Sequence, residues 1–251
     1  MIMYELSPST SAAENLSASV SSYSSAKLLQ IWERGQRELH TEKALTLLAA
    51  AHPDNARETL ATLSIGQRDA GLISLRELLF GSHLSSLTDC PACNERLELN
   101  FNVNDIRVSA SPTDSTISLH EDGYELQLRL PNSLDLLRLT DCISRDEMRS
   151  RLFEQCLIHV THKGQAEFTK QPDEMPERIV ELAIERLGEA DPQADVEIAL
   201  TCPECGHEWQ TAFDIVSYLW SELQAWAMPP VRWVCTCIAC RQNGCLAIRL
   251  N

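Results

Sequence analysis

The sequence predicts an α+β protein: a helical N-terminal module, then a small antiparallel sheet built on a split zinc ribbon whose two Cys-Pro-x-Cys knuckles enclose a mostly helical insert. Three observations predict it. Leucine-rich stretches recur at helical spacing between residues 25 and 81, apolar residues alternate with period two in Leu97 to Val103 and Tyr124 to Leu130, and the knuckle tetrapeptide occurs twice.

Taken in order, residues 7–25 hold nine serines and almost no bulky apolar side chain, so residues 1–24 read as a mobile arm that cannot repay its ordering entropy. Leu28, Leu29, Ile31 and Trp32 form one face of a short helix ended by Gly35. A second helix, with Thr41 as its cap, carries Ala44, Leu45, Leu47 and Leu48 and closes at Pro53. The stretch after Asp54 can form a third. Ser64 and Gln67 make a capping box for a fourth, which runs through Leu72, Ile73, Leu75, Leu78 and Leu79 to Gly81.

Beyond the helical module (25–81), a region spanning 82–213 combines the split ribbon with a β-hairpin and a helical insert. Its hairpin turns at Glu121-Asp122-Gly123, and residues 107–116 read as an exposed loop. Ser133 is the expected cap of a helix bearing Leu134, Leu136 and Leu137. Ser144 with Glu147 predicts another helix, running through Met148, Leu152, Cys156, Leu157 and Val160. After a polar break at 170–176, Pro176 opens a helix with Ile179, Val180, Ala183 and Leu187 buried. Val196, Ile198 and Leu200 alternate as a strand, and Asp214 caps an aromatic amphipathic helix over 214–227. Residues 228–251 differ in kind: four cysteines, three arginines and no Asp, Glu or Lys. Such a change of composition fits a loosely packed tail or a shifted reading frame, with a second metal site at Cys235, Cys237 and Cys240 as the alternative.

At 251 residues the chain can bury roughly three quarters of its unfolded surface, so its core needs no disulfide staples. Thirty-six acids against 21 Lys and Arg leave a net charge of -15, which repels a phosphate backbone and disfavours nucleic acid as a partner. There is no long apolar run and no basic, apolar leader at the start. The expected setting is therefore a reducing cytoplasm without a membrane partner. There, closely spaced cysteines point to metal or redox chemistry before disulfides.

Cys90-Pro91-Ala92-Cys93 and Cys202-Pro203-Glu204-Cys205 are each followed by a two-residue turn and a strand pattern. A tight turn presents two thiolates to one metal, and two such turns make a closed four-sulfur cage, the preference of structural zinc. The expected ligands are Cys90, Cys93, Cys202 and Cys205, holding one Zn2+ per chain. Residues 94–201, 108 in all, separate the knuckles, so the strand context and not the spacing pairs them. The competing reading is a dithiol oxidoreductase, but a reactive Cys-x-x-Cys normally opens a helix, and neither pair precedes a helical pattern. His207 and His83 read as solvated or structurally bonded imidazoles, and Cys142 and Cys156 as small hydrophobes on helices. A serine-hydrolase elbow, a phosphate-binding glycine loop and an HExxH helix are all absent, and no catalytic residue or small-molecule substrate is indicated. Trp209, Tyr218, Trp220 and Trp226 gather around the second knuckle and its following helix, where one edge is a candidate partner surface.

Several segments then combine. Leu29-Gln30-Ile31-Trp32-Glu33-Arg34-Gly35, Leu75 to Gly81, the first knuckle, Arg129-Leu130-Pro131-Asn132-Ser133-Leu134-Asp135-Leu136, and Ala190-Asp191-Pro192-Gln193-Ala194-Asp195 leading to Cys202-Pro203-Glu204-Cys205-Gly206-His207 resemble, in this order, the T-even type phage baseplate hub assembly chaperone family and related baseplate proteins of bacterial contractile injection systems. The resemblance spans about residues 25–227 and stops at Met228, where a further acidic and apolar helix is expected. It implies a non-enzymatic role in contractile-tail assembly, with hub or wedge proteins of the baseplate as partners, in the bacterial or infected host cytoplasm or retained in the particle. An autonomous zinc-ribbon module that binds nucleic acid or a regulatory protein is the alternative.

Overall fold

The computed structural model describes residues 24–108, 116–166 and 175–228. The remainder of the Ser-rich arm, most of the 107–116 loop, most of the 170–176 break and the Cys-rich tail from 229, with its alternative metal site, lie outside the described residues.

In chain order the elements are α1 (Ser25–Gly35), α2 (His40–Ala51), α3 (Arg57–Ala61), α4 (Ile65–Phe80), β1 (His83–Asp89), β2 (Arg96–Asn102), α5 (Val103–Ile106), β3 (Thr116–Glu121), β4 (Tyr124–Arg129), α6 (Ser133–Arg138), α7 (Arg145–Cys156), β5 (Leu157–His162), β6 (Gln165–Ala166), α8 (Glu177–Ala190), a 3-10 turn at Pro192–Ala194, β7 (Glu197–Thr201), β8 (Glu208–Ala212) and α9 (Ile215–Ala227). All strand pairing is antiparallel, but it forms three sheets instead of one: the hairpins β1-β2 and β7-β8, and a four-stranded sheet in the order β3-β4-β5-β6. The insert accordingly pairs its helices with a four-stranded sheet that extends the expected hairpin by β5 and β6.

Two apolar cores result. In the first, Ala44, Leu47 and Leu48 of α2 meet Leu72, Ile73 and Leu75 of α4, Leu84 of β1, and Val216, Leu219 and Leu223 of α9. In the second, Leu126 and Leu128 of β4 pack with Phe153, Val160 and the α8 face Ile179, Val180 and Ala183. The aromatic helix therefore closes the N-terminal core and is not chiefly a partner surface. Trp220 is 9% exposed and lies against Gly35, where any Cβ would strike the indole, and Trp226 alone of its aromatics stays well exposed.

Most departures from the predicted elements have local causes. The capping box of Ser64 and Gln67 forms as predicted. Thr41, however, lies inside the first turn of α2, because Glu42 accepts from the Leu39 N–H and fixes the cap two residues earlier. Asn132, not Ser133, caps α6, its Oδ1 accepting from the Leu134 and Asp135 amides. At α7 only half the predicted box forms: Ser144 caps, while Glu147 reaches the Ile143 N–H. Val103 leaves β2 for a buried helical turn. Thr116 belongs to β3 and not to the loop. The apolar run Leu157 to Val160 is strand, since β4 offers it a ladder that a longer α7 would forfeit. Cys156 is fully buried at the end of α7, where desolvation pushes its thiol up to about 12, whereas Cys142 sits in the loop before that helix.

The two cores are joined by polar groups. At the exit from β4, Arg129 grips Asp135 with two bonds of 2.6 and 2.7 Å, and the Ile65 N–H donates to the Pro131 carbonyl. At the return, the buried Asp191 carboxylate accepts from the Gly66 N–H at 2.9 Å, and Gln193 both accepts from the Val108 N–H and donates to the Ile106 carbonyl. Asp135 is wholly buried; desolvation raises its carboxyl, but the Arg129 guanidinium and the Asn132 amide outweigh this and hold it below the ordinary carboxylate range. A depressed folded pKa contributes stability above the unfolded value of about 4 and loses it as pH falls through the folded one. Asp135→Asn is thus expected to cost about 3 kcal/mol at pH 7, with a penalty that shrinks below about pH 4. Urea melts of both proteins across pH check this; a cost independent of pH contradicts it.

Candidate metal centre

Each knuckle is the turn of one hairpin. Asp89 pairs with Arg96 across the first and Thr201 with Glu208 across the second, so six residues form either turn. The local bonding is the same twice. Cys90 donates its N–H to the Glu95 carbonyl and accepts from the Asn94 N–H; Cys202 donates to the His207 carbonyl and accepts from the Gly206 N–H, all at 2.9 Å. Both turns need a left-handed residue in the same place, supplied by Asn94 at φ 58° and Gly206 at φ 71°. Asn tolerates that region better than most side-chain-bearing residues, which is why two unlike residues serve one geometry.

The four predicted ligands come together. Their sulfurs all lie within 4.8 Å of one another, with Cys90 and Cys205 at 3.7 Å and Cys93 and Cys202 at 3.6 Å. A tetrahedral ion with bonds of about 2.3 Å requires sulfurs about 3.8 Å apart, which the two shortest separations match, so the cluster could hold one ion. Cys90 and Cys202 are buried beneath it, while Cys93 and Cys205 face solvent. His207 stands apart from the four sulfurs, its ring stacked on Trp209 at 5.8 Å. Neither pair opens a helix, unlike a dithiol redox motif.

Electrostatics within the cluster favour a cation. Desolvation raises the Cys90 thiol, but the backbone at Cys93 and Ala92 and the adjoining thiols outweigh it and bring the group down to about 7. At Cys93 the backbone of Glu95 lowers the thiol, yet the Cys205 thiol, desolvation and the other two sulfurs push it up to about 12. Cys205 is also raised, although the backbone at His207 pulls it down. One thiolate forms readily and the next is opposed by it. A bound divalent ion lifts that opposition, because coordination deprotonates thiols outright.

The sequence points to the four cysteines that come together and not to the residues that place their hairpins. Tyr218 donates to the Ser85 carbonyl at 2.9 Å and accepts its N–H at 3.0 Å, pinning β1 to α9. Arg76, buried in α4, holds Glu222 of α9 through two bonds and the Gly81 carbonyl through a third. Their signal, a charged residue within an apolar helix face, is visible at Arg76 between Leu75 and Leu79.

Among the described residues, no helix is long and apolar enough to cross a membrane. No curated protein and no solved structure matches the chain significantly. The family model described as T4 bacteriophage base plate protein matches residues 18–220, a span that takes in the helical module, both knuckles and both joints to the insert. The chain belongs to that baseplate family, and membership points to a structural or assembly role among other baseplate components.

Proposed function

We propose that this protein is a non-enzymatic assembly factor or minor subunit of a contractile-tail baseplate, and that Cys90, Cys93, Cys202 and Cys205 hold one structural zinc. The observation that carries the reading is the closed cage of four sulfurs inside a chain of the baseplate family. Four protein thiolates fill a tetrahedral zinc, leaving no position for water or substrate, so the ion contributes fold and not chemistry. Hub or wedge proteins are the partners this reading names.

Purified protein is expected to contain one zinc per chain by elemental analysis, and Cys93→Ser to contain none. No metal, or another metal in its place, refutes the zinc assignment. Assembly is tested separately: deleting the gene should abolish particles while the other tail proteins reach normal levels, and co-expression should recover a hub or wedge subunit on the tagged protein. Normal particles from the deletion strain refute the assembly role.

A further inference from the structure

A groove of about 340 Å³ separates β2 from β7, beside the metal knuckles. Leu97, Leu99 and Leu200 supply its apolar surface, and Glu95, Glu98 and Glu204 its charge. Arg96, the single cation lining it, is already paired with Asp89 at 3.2 Å. The strands on either side are not bonded to each other.

Their free edges follow from register. In an antiparallel pair, alternate residues turn both backbone groups away from the partner strand. Ser85 does so on β1, because both its groups bond Tyr218. Its partner Asn100, and by alternation Glu98 and Arg96, then turn outward on β2. In the other hairpin, Cys202 bonds His207 and Phe213 bonds Val196 across the ladder. The intervening parity leaves Thr201, Ala199 and Glu197 turned outward on β7. Among the described residues, the backbone groups of Arg96, Glu98, Ala199 and Thr201 have no hydrogen-bond partner.

We infer that this groove binds an extended, basic segment of a partner protein as an added strand, with cationic residues toward Glu95, Glu98 and Glu204 and apolar ones on Leu97, Leu99 and Leu200. Main-chain bonds supply affinity in such strand addition, and alternate side chains supply selectivity. The acids select a cationic partner, since desolvating three like charges beside a neutral or acidic strand is unfavourable. A groove beside another free edge, between β3 and α8, lacks this selectivity: its Arg186 pairs with Glu189, and its Glu121 with Arg178. The inference deepens the assembly reading by giving it a contact surface, and does not depend on which metal the cage holds.

The probe is a labelled octapeptide of alternating lysine and valine, titrated into the full-length protein at 150 mM salt, with metal content measured on the same sample. Saturable binding is expected, at least ten times tighter than for the same residues in block order or for a glutamate-valine octapeptide. The double change Glu98→Lys with Glu204→Lys should weaken binding at least tenfold with metal content unaltered. Amide exchange on the unmodified protein supplies a second readout, free of any folding defect: the amides of Arg96, Glu98, Ala199 and Thr201 should slow on peptide addition. Equal binding of block and alternating peptides, protection elsewhere, or a dimer of this chain occupying the groove overturns the inference, whatever metal the protein contains.

Discussion

Cys90→Ala or Cys202→Ala should abolish metal binding and open both hairpins from the knuckle end, while the two apolar cores stay folded. Structural zinc contributes on the order of 10–16 kcal/mol at neutral pH, comparable with the whole stability of an ordinary domain. Two-stranded hairpins are marginal by themselves, and these two have little else to hold them near the cage. Their far ends are anchored: Leu84 is fully buried in the first core, and Phe101 lies edge-on to Phe213 at 5.7 Å. The insert has its own core and is joined through Pro131, Asp191 and Gln193, so it does not depend on the knuckles for its fold. Limited proteolysis with mass mapping should therefore find new cuts near residues 88–97 and 200–209, and not in β4 or α8. Unchanged resistance in the knuckles shows that the ion does not hold the hairpins. Cuts throughout the insert show instead that the knuckles hold it in place.

What the sequence disclosed, and what it hid, divides along physical lines. The knuckles were legible because their chemistry is local: Cys-Pro-x-Cys, then a residue that accepts positive φ, then a strand. The α4 face was legible because burial there follows helical periodicity, and α2 because its apolar residues fall in the run Ala44 to Leu48, which is buried on all sides. The joints between the cores were hidden, since a carboxylate in a loop ordinarily faces water, and nothing near Asp191 announces a partner 125 residues away. Yet Arg129 to Asp135 and Ala190 to Asp195, two of the segments that carry the family resemblance, are these joints. In the first, the side chains bond locally and the backbone makes the link; in the second, Asp191 and Gln193 themselves reach the other core. The aromatic helix was ambiguous for the opposite reason. Large rings on an amphipathic helix suit an interface or a core equally well, and only the position of α9 against α1, α2 and α4 decides for the core.

The return joint makes the second large effect, at Gly66. Its N–H, in the first turn of α4, donates to the buried Asp191 carboxylate at 2.9 Å, where the helix N-terminus also favours negative charge. A Cβ at this position would collide with the Asp191 carboxylate and come within 3.1 Å of the Ala194 amide nitrogen. Asp191 has little room to yield, because its own carbonyl accepts from that Ala194 N–H and its N–H bonds back to the end of α8. Two effects oppose each other in Gly66→Ala. Alanine is favoured over glycine within a helix by about 1 kcal/mol. Overpacking, together with the loss of a charge-assisted buried hydrogen bond, costs on the order of 3–5 kcal/mol, so the collision wins. Gly188, by contrast, lies in α8 with nothing within 4 Å of its Cβ position, and only the propensity term acts there. Urea denaturation of the metal-loaded protein should therefore move in opposite directions: Gly66→Ala unfolding at markedly lower urea, Gly188→Ala at slightly higher. If both substitutions stabilise, the contact between Asp191 and α4 is not a joint between the cores, and the insert is held by the Ile65–Pro131 bond and by Gln193.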